Sequence, residues 1–154
     1  MKTSTLLSLL AASGLLAGLA GCATCPKGDV PAPAAVSTTE LIRTSQSWDG
    51  ADLPDYPVGR PELVAVRYEF PAGKKLGWHH HPVMNYGVLQ QGELTIIGLD
   101  GKEKVVHEGE AVVEMVDTIH HGENRGDKTV ILDMFYISQE GVPLAIQHPE
   151  IPLE

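Results

Sequence analysis

The chain has 154 residues, of which 43% are hydrophobic, 20% are charged and 5% are aromatic. This length allows one domain with an extension, and 16 glycines and 11 prolines favour a turn-rich domain of short strands over a helical bundle or a coiled coil. The formal net charge of -9 argues against nucleic acid as a partner, because phosphate binding needs clustered Lys and Arg.

Residues 1–21 have the pattern of a secretory signal peptide. Lys2 precedes a short apolar run that is rich in Leu, Ala and Gly, and small residues follow it. The run ends in Leu19-Ala20-Gly21-Cys22, which resembles the lipobox of bacterial lipoproteins. The resemblance implies cleavage before Cys22, a diacylglycerol group on its thiol and a fatty acyl group such as palmitate on its amine.

The alternative interpretation of this end is a transmembrane anchor, because the uncharged stretch before Lys27 is long enough to span a bilayer. Ser8 and Ser13 interrupt that stretch, and Cys22 stands where cleavage is expected, which favours the lipoprotein. Ala23 follows the cysteine, where an Asp would favour the inner membrane in enterobacteria. We therefore expect a protein of the bacterial cell envelope, anchored by its lipid alone to the outer membrane and facing the periplasm.

Residues 22–37 are rich in Pro and Ala and predict a tether that buries little surface. Residues 38–145 predict one β-barrel domain, with a surface tail over residues 146–154. The predicted strands are short, regularly spaced and separated by Gly turns, as in an all-β sandwich or barrel. They are Glu62–Phe70, Tyr86–Gln90, Glu93–Leu99, Lys102–Glu108, Ala111–Val116 and Lys128–Ser138, with Asp100-Gly101 as a hairpin turn.

Five of the seven histidines fall into two clusters, His79-His80-His81 and His120-His121. Residues two apart on a strand share a face, so His79 and His81 should point one way and His80 the other. Asn85 shares the parity of the first two, and His120 lies on another predicted strand. Three imidazoles from two strands can bind a divalent transition metal.

The spacing around these histidines resembles the two motifs of the cupin superfamily, especially small single-domain bacterial monocupins. The first motif is Gly73, His79, His81, Asn85 and Gly92, and the second is Gly109, Met115, Asp117, His120 and Asn124. The resemblance implies a cupin-type double-stranded β-helix, which is a jelly-roll β-barrel. It also implies one divalent metal (Fe, Zn, Mn, Cu or Ni) on His79, His81 and His120, with Asn85 as a further candidate ligand.

Asn85 departs from the family pattern, which usually has a metal-binding Glu at this position. A neutral amide is a weaker oxygen donor than a carboxylate and cannot act as a base. Three histidines would still leave positions open for water or for a small organic molecule. Because thiol dioxygenases of this superfamily use three His and iron(II), we expect a dioxygenase-like oxidoreductase. A non-catalytic module that binds a small ligand or a metal is the alternative.

Other residues receive weaker assignments from the sequence. Met134 and Tyr136 share one face of the last long strand and are predicted to line the pocket or to pack in the core. The remaining polar candidates are predicted to lie at the rim or surface: His80, His107, His121, His148, Glu110 and Glu114. The apolar strand Thr129–Ile137 needs a cover on its outer face, which, with the family resemblance, predicts a homodimer.

Overall fold

The computed structural model describes residues 35–153, and residues from Thr38 onward belong to one compact unit. The regular structure of this range is all strand. Its elements are β1 (Pro61–Phe70), β2 (His79–His80), β3 (Met84–Gln91), β4 (Glu93–Gly98), β5 (Glu103–His107), β6 (Ala111–Val113), β7 (His120–Glu123), β8 (Val130–Gln139) and β9 (Ile146–Gln147). The predicted signal peptide, the lipidation site Cys22 and most of the predicted tether lie outside the described residues.

The strands form two antiparallel sheets. One has the order β1-β8-β3-β6 and the other β5-β4-β7-β2-β9. Strands that are distant in the chain lie side by side in both sheets, as in a jelly roll. The prediction of an all-β jelly-roll fold is therefore confirmed. Nothing between residues 35 and 153 forms a helix of the length and hydropathy that crossing a membrane requires.

The core lies between the inner faces of the two sheets. Strand β8 shows how it forms, because its buried residues alternate with partly exposed ones: Val130, Leu132, Met134 and Tyr136 face inward. Leu89, Leu94, Ile96 and Val106 meet them from β3, β4 and β5. Full burial of one such side chain contributes roughly 1.5–3 kcal/mol relative to exposure.

The outer face of the four-stranded sheet carries exposed apolar side chains. Leu63 is 78% exposed, Tyr86 41% and Phe135 36%, and the rings of Tyr86 and Phe135 stack with centroids 5.3 Å apart. This is the face for which the sequence predicts a cover. Association through it remains a prediction.

Two short strands, β2 and β9, differ from the sequence expectations. Asp100-Gly101 does form the turn between β4 and β5, and Gly101 has a φ of 82°. The two-residue strand β2, however, is absent from the predicted set. Its outer partner is β9, which pairs Ile146 with His80, so part of the predicted surface tail is an edge strand of the second sheet.

Candidate metal centre

Three buried histidines converge between the two sheets. His79 in β2 pairs directly with His120 in β7, and His81 forms an isolated bridge with Val116. Their ring centroids are 4.7 to 5.1 Å apart, and one nitrogen from each residue lies within 4.8 Å of the other two. This spacing allows all three imidazoles to hold one metal ion. The structure thus brings together the three histidines that the sequence singles out.

Backbone carbonyls fix the orientation of all three rings. Each Nδ1 bonds to a carbonyl oxygen, and the partners are Gly77 for His79 at 2.8 Å, Leu144 for His81 at 2.7 Å and Thr118 for His120 at 2.7 Å. A carbonyl only accepts hydrogen bonds, so each Nδ1 carries the proton and donates. The Nε2 atom is then the one that offers a lone pair to a metal, which is how metal-binding histidines are usually held.

Burial keeps two of the rings neutral. It lowers the pKa of His79 to about 4, and it also lowers the pKa of His81. At His120 burial acts in the same direction, but the charge of Glu114 outweighs it and raises the pKa. Two imidazoles are therefore ready to bind a cation at neutral pH, and the third is coupled to a carboxylate.

That carboxylate corrects a sequence expectation, because Glu114 was predicted to belong to a solvated face. It is 5% exposed, and its Oε2 lies 2.9 Å from Nε2 of His120. The two groups form a buried ion pair, and neither atom has another partner among the described residues. Burial raises the pKa of Glu114, but the neighbouring histidines outweigh it and hold the pKa below its usual range.

A signal for Glu114 does exist in the sequence. Glu114 has the same parity as Val112, and a valine in a short apolar strand indicates the inward face. Glu110 shares this parity too, but it lies in the turn before β6 and is exposed, as expected. Because the exposed Glu110 has the same parity, the sequence pattern indicates a solvated face, and the burial of Glu114 cannot be predicted from it.

Asn85 is buried beside the centre, but it is not among the residues that line the cavity there. Its Nδ2 donates to the carbonyl of Val83 at 3.4 Å, and its Oδ1 has no hydrogen-bond partner. Asn124, at the end of the second motif, has a structural role instead. Its Nδ2 donates to the carbonyls of Phe70 and Lys128, which closes the turn before β8.

The three histidines and Glu114 face a small cavity of about 30 Å³. The rest of its wall is mostly apolar and comprises Tyr68, Phe70, Leu76, Leu94, Ile96, Gly122, Leu132, Met134 and Tyr136. Both predicted pocket residues, Met134 and Tyr136, are thus in the wall, and the hydroxyls of Tyr136 and Tyr68 are 2.9 Å apart. A cavity of this size has room for an ion with one or two waters.

The other histidines lie outside this cavity. Nδ1 of His80 lies 2.8 Å from Nε2 of His148, and Nδ1 of His148 lies 2.8 Å from a carboxylate oxygen of Glu150. His148 is therefore more enclosed than the surface residue that the sequence predicts. His121 packs edge-on against Trp78, with ring centroids 4.3 Å apart, and is buried rather than at the rim. His107 is exposed, as predicted.

Comparison with protein families gives the same result as the geometry. Residues 66–137, just under half of the chain, match the family model described as "Cupin domain". The domain has the cupin fold. A search of curated protein sequences finds no match to the chain.

Solved structures similar to this domain include enzymes. An oxalate oxidase in complex with the substrate analogue glycolate is 25% identical, with a TM-score of 0.50, over 56% of this chain and 46% of that chain. The chain therefore spans about half the length of that oxidase. A cupin domain from Bordetella pertussis Tohama I is 17% identical, with a TM-score of 0.47, over 64% of this chain and 99% of that chain. The DMSP lyase DddQ from Ruegeria pomeroyi DSS-3 is 16% identical, with a TM-score of 0.48, over 64% of this chain and 46% of that chain.

Proposed function

We propose that this cupin is a metal-dependent, dioxygenase-like oxidoreductase that acts on a small organic molecule at His79, His81 and His120. One observation carries the proposal. Three Nδ1 atoms are tied to backbone carbonyls, so the three Nε2 atoms are the ones left for a metal at one cavity. Imidazoles suit iron, copper, zinc and nickel, so the ligand type leaves the choice among these ions and manganese to the remaining donors and to supply in the cell.

The surrounding residues fit a metal in a dry site. Buried polar atoms are costly when they are incompletely paired, and Nε2 of His120 and Oε2 of Glu114 have only each other, in an ion pair at the cavity. A bound ion would satisfy both. When bound, a transition metal supplies Lewis acidity and, if it is redox-active, electrons. The chain itself orients the ligands, and the apolar wall that includes Phe70, Leu94 and Ile96 keeps bulk water out.

The size of the cavity supports a small substrate. Room for an ion and one or two waters excludes a bulky ligand unless the wall moves. The hydroxyls of Tyr68 and Tyr136 lie in this wall and offer hydrogen bonds to a polar oxygen. The likeness to oxalate oxidase with glycolate supports a small carboxylic acid as the class to test first.

The test is the metal content of the purified full chain, followed by oxygen uptake with small hydroxy acids, keto acids and thiols. We expect about one equivalent of iron, manganese or copper per chain and oxygen uptake that stops when a chelator removes the ion. Zinc, or an ion without any oxygen uptake, would contradict the oxidoreductase.

Those two contrary results would favour the alternative, a cupin module that binds a small ligand or a metal without turnover. The small cavity is the observation on its side, because it leaves little space for a substrate beside the ion.

We further propose that the chain is anchored in the bacterial cell envelope through lipid on Cys22, probed by Cys22→Ser. The variant is expected to remain as unprocessed precursor and to lose labelling by a fatty-acid probe, because the thiol is the site of the first lipid. Cys25→Ser is the matched control and should be processed and labelled normally. Continued labelling of Cys22→Ser would refute the lipobox interpretation.

A further inference from the structure

A carboxylate does lie beside the three histidines, although position 85 has an amide where the cupin pattern usually has a glutamate. The backbone N–H of Glu114 donates to the carbonyl of Asn85 at 3.2 Å, so the two residues are neighbours where β3 meets the end of β6. Both side chains are buried, at 5% and 1% exposure, and each has one oxygen without a hydrogen-bond partner. The two side chains are thus buried neighbours, and of the two only Glu114 lines the cavity.

The spacing of Glu114 suits a metal ligand. Its Oε2 is 2.9 Å from Nε2 of His120, and neither atom has a partner apart from this ion pair. Two ligand atoms that are each about 2.1 Å from one ion, at right angles to each other, lie about 3.0 Å apart. The observed separation therefore matches that of adjacent ligands. The side chains whose ligand atoms all lie within 4.8 Å of one another are the three histidines without Glu114, so its carboxylate would have to move toward the other two rings when an ion binds.

Charge points in the same direction. A carboxylate that is removed from water costs several kcal/mol unless opposite charge compensates it. Glu114 has no Lys or Arg within ion-pair distance among the described residues, and His120 is its one ion-pair partner there. In the metal-free chain the compensating charge comes from His120, and a divalent cation on the three imidazoles would take its place.

Asn85 is less suited to this role than Glu114. Its amide nitrogen is directed to the carbonyl of Val83, and its side chain is not part of the cavity wall, whereas that of Glu114 is. An amide oxygen is also uncharged and binds a dication less strongly than a carboxylate does.

We propose that Glu114 is the fourth, anionic ligand of the metal centre and takes over the role of the glutamate that is absent at position 85. This inference rests on the proposed metal site at His79, His81 and His120. It assigns the carboxylate to the end of β6, one strand away from β3.

The test is a titration of the full chain in detergent with Mn(II). The EPR signal of the unbound ion reports how much Mn(II) remains free. Manganese suits carboxylate-containing sites and binds thiols weakly, so the N-terminal cysteines should not interfere. Glu114→Gln keeps the shape and removes the charge, and it is expected to weaken binding at least tenfold. Glu110→Gln, an exposed glutamate on the same segment, is the matched control and should bind as the original chain does.

A double variant that exchanges the side-chain types at positions 85 and 114 provides a second test of the role of Glu114. Asn85→Glu combined with Glu114→Gln moves the carboxylate back to the position usual in cupins, and it should recover much of the lost affinity. If Glu114→Gln does not fold, Glu114→Asp retains the charge on a shorter arm and should weaken binding several-fold. Unchanged affinity in the Gln variant, with binding abolished by His79→Ala, would overturn the role of Glu114 alone. A full chain that neither binds Mn(II) nor carries any metal would overturn the proposed function itself.

Discussion

Alanine at His79, His81 or His120 is expected to lower metal affinity more than a hundredfold in each case. Loss of a group that only orients a ligand costs about 10–100-fold in affinity, and loss of a ligand should cost more. Each ring is also fixed by its own carbonyl partner, so no neighbouring imidazole is free to replace it. Metal content after dialysis against a weak chelator measures the effect.

His80→Ala is the matched control, since it removes the same side chain from the next position along the chain. The ring of His80 bonds to His148 on the other side of the strand and has no contact with the cavity. Its loss should leave the metal content unchanged. An empty site in His80→Ala with a full one in His79→Ala would mean that the assignment of faces in β2 is wrong.

The second large effect is on stability. Tyr136→Ala is expected to lower the free energy of unfolding by about 3–5 kcal/mol, the range for a large aromatic residue in a packed core. Tyr136 is 2% exposed, its ring lies 5.6 Å from that of His81, and it contributes to the cavity wall. A loss of this size is a large share of the roughly 5–15 kcal/mol that stabilises a domain. Urea unfolding of the metal-free protein measures it.

Tyr136→Phe separates packing from hydrogen bonding. It keeps the ring and removes only the hydroxyl that meets Tyr68 at 2.9 Å, so the expected loss is about 0.5–1.5 kcal/mol. Equal losses in the Ala and Phe variants would show that the hydroxyl pair, and not the packing of the ring, stabilises this part of the wall.

The histidine centre is predictable from the sequence because strand geometry is periodic. His79 and His81 share a face by alternation, and the motif spacing adds His120. Glu114 is harder to predict, since a charged side chain normally marks the solvent face and only three-dimensional packing shows that this one is enclosed. The carbonyl of Leu144, which orients His81, lies 63 residues away from it in the chain, and no local pattern predicts such a contact.

The second motif shows a departure that the backbone tolerates. Asp117 stands where the family usually has glycine, and it has a φ of 52°, in the left-handed region. Asp is one of the few side chains that adopt this conformation readily. Asp117 thus keeps the turn although its residue type differs from the family pattern. Here the spacing of the motif predicts the local structure better than the identity of each residue does.

The order of strands in the first sheet also determines when the domain can fold. Strand β1 pairs along its whole length with β8, and Phe70 meets Val130 only after 60 further residues. Until β8 has been made, all ten residues of β1 lack their partner. Pairing over such distances is slow compared with local hairpin closure. The first sheet of such a chain cannot be completed until β8 has been synthesised. The proposed metal centre lies between the two sheets, so metal can be loaded only after the last long strand has joined the first.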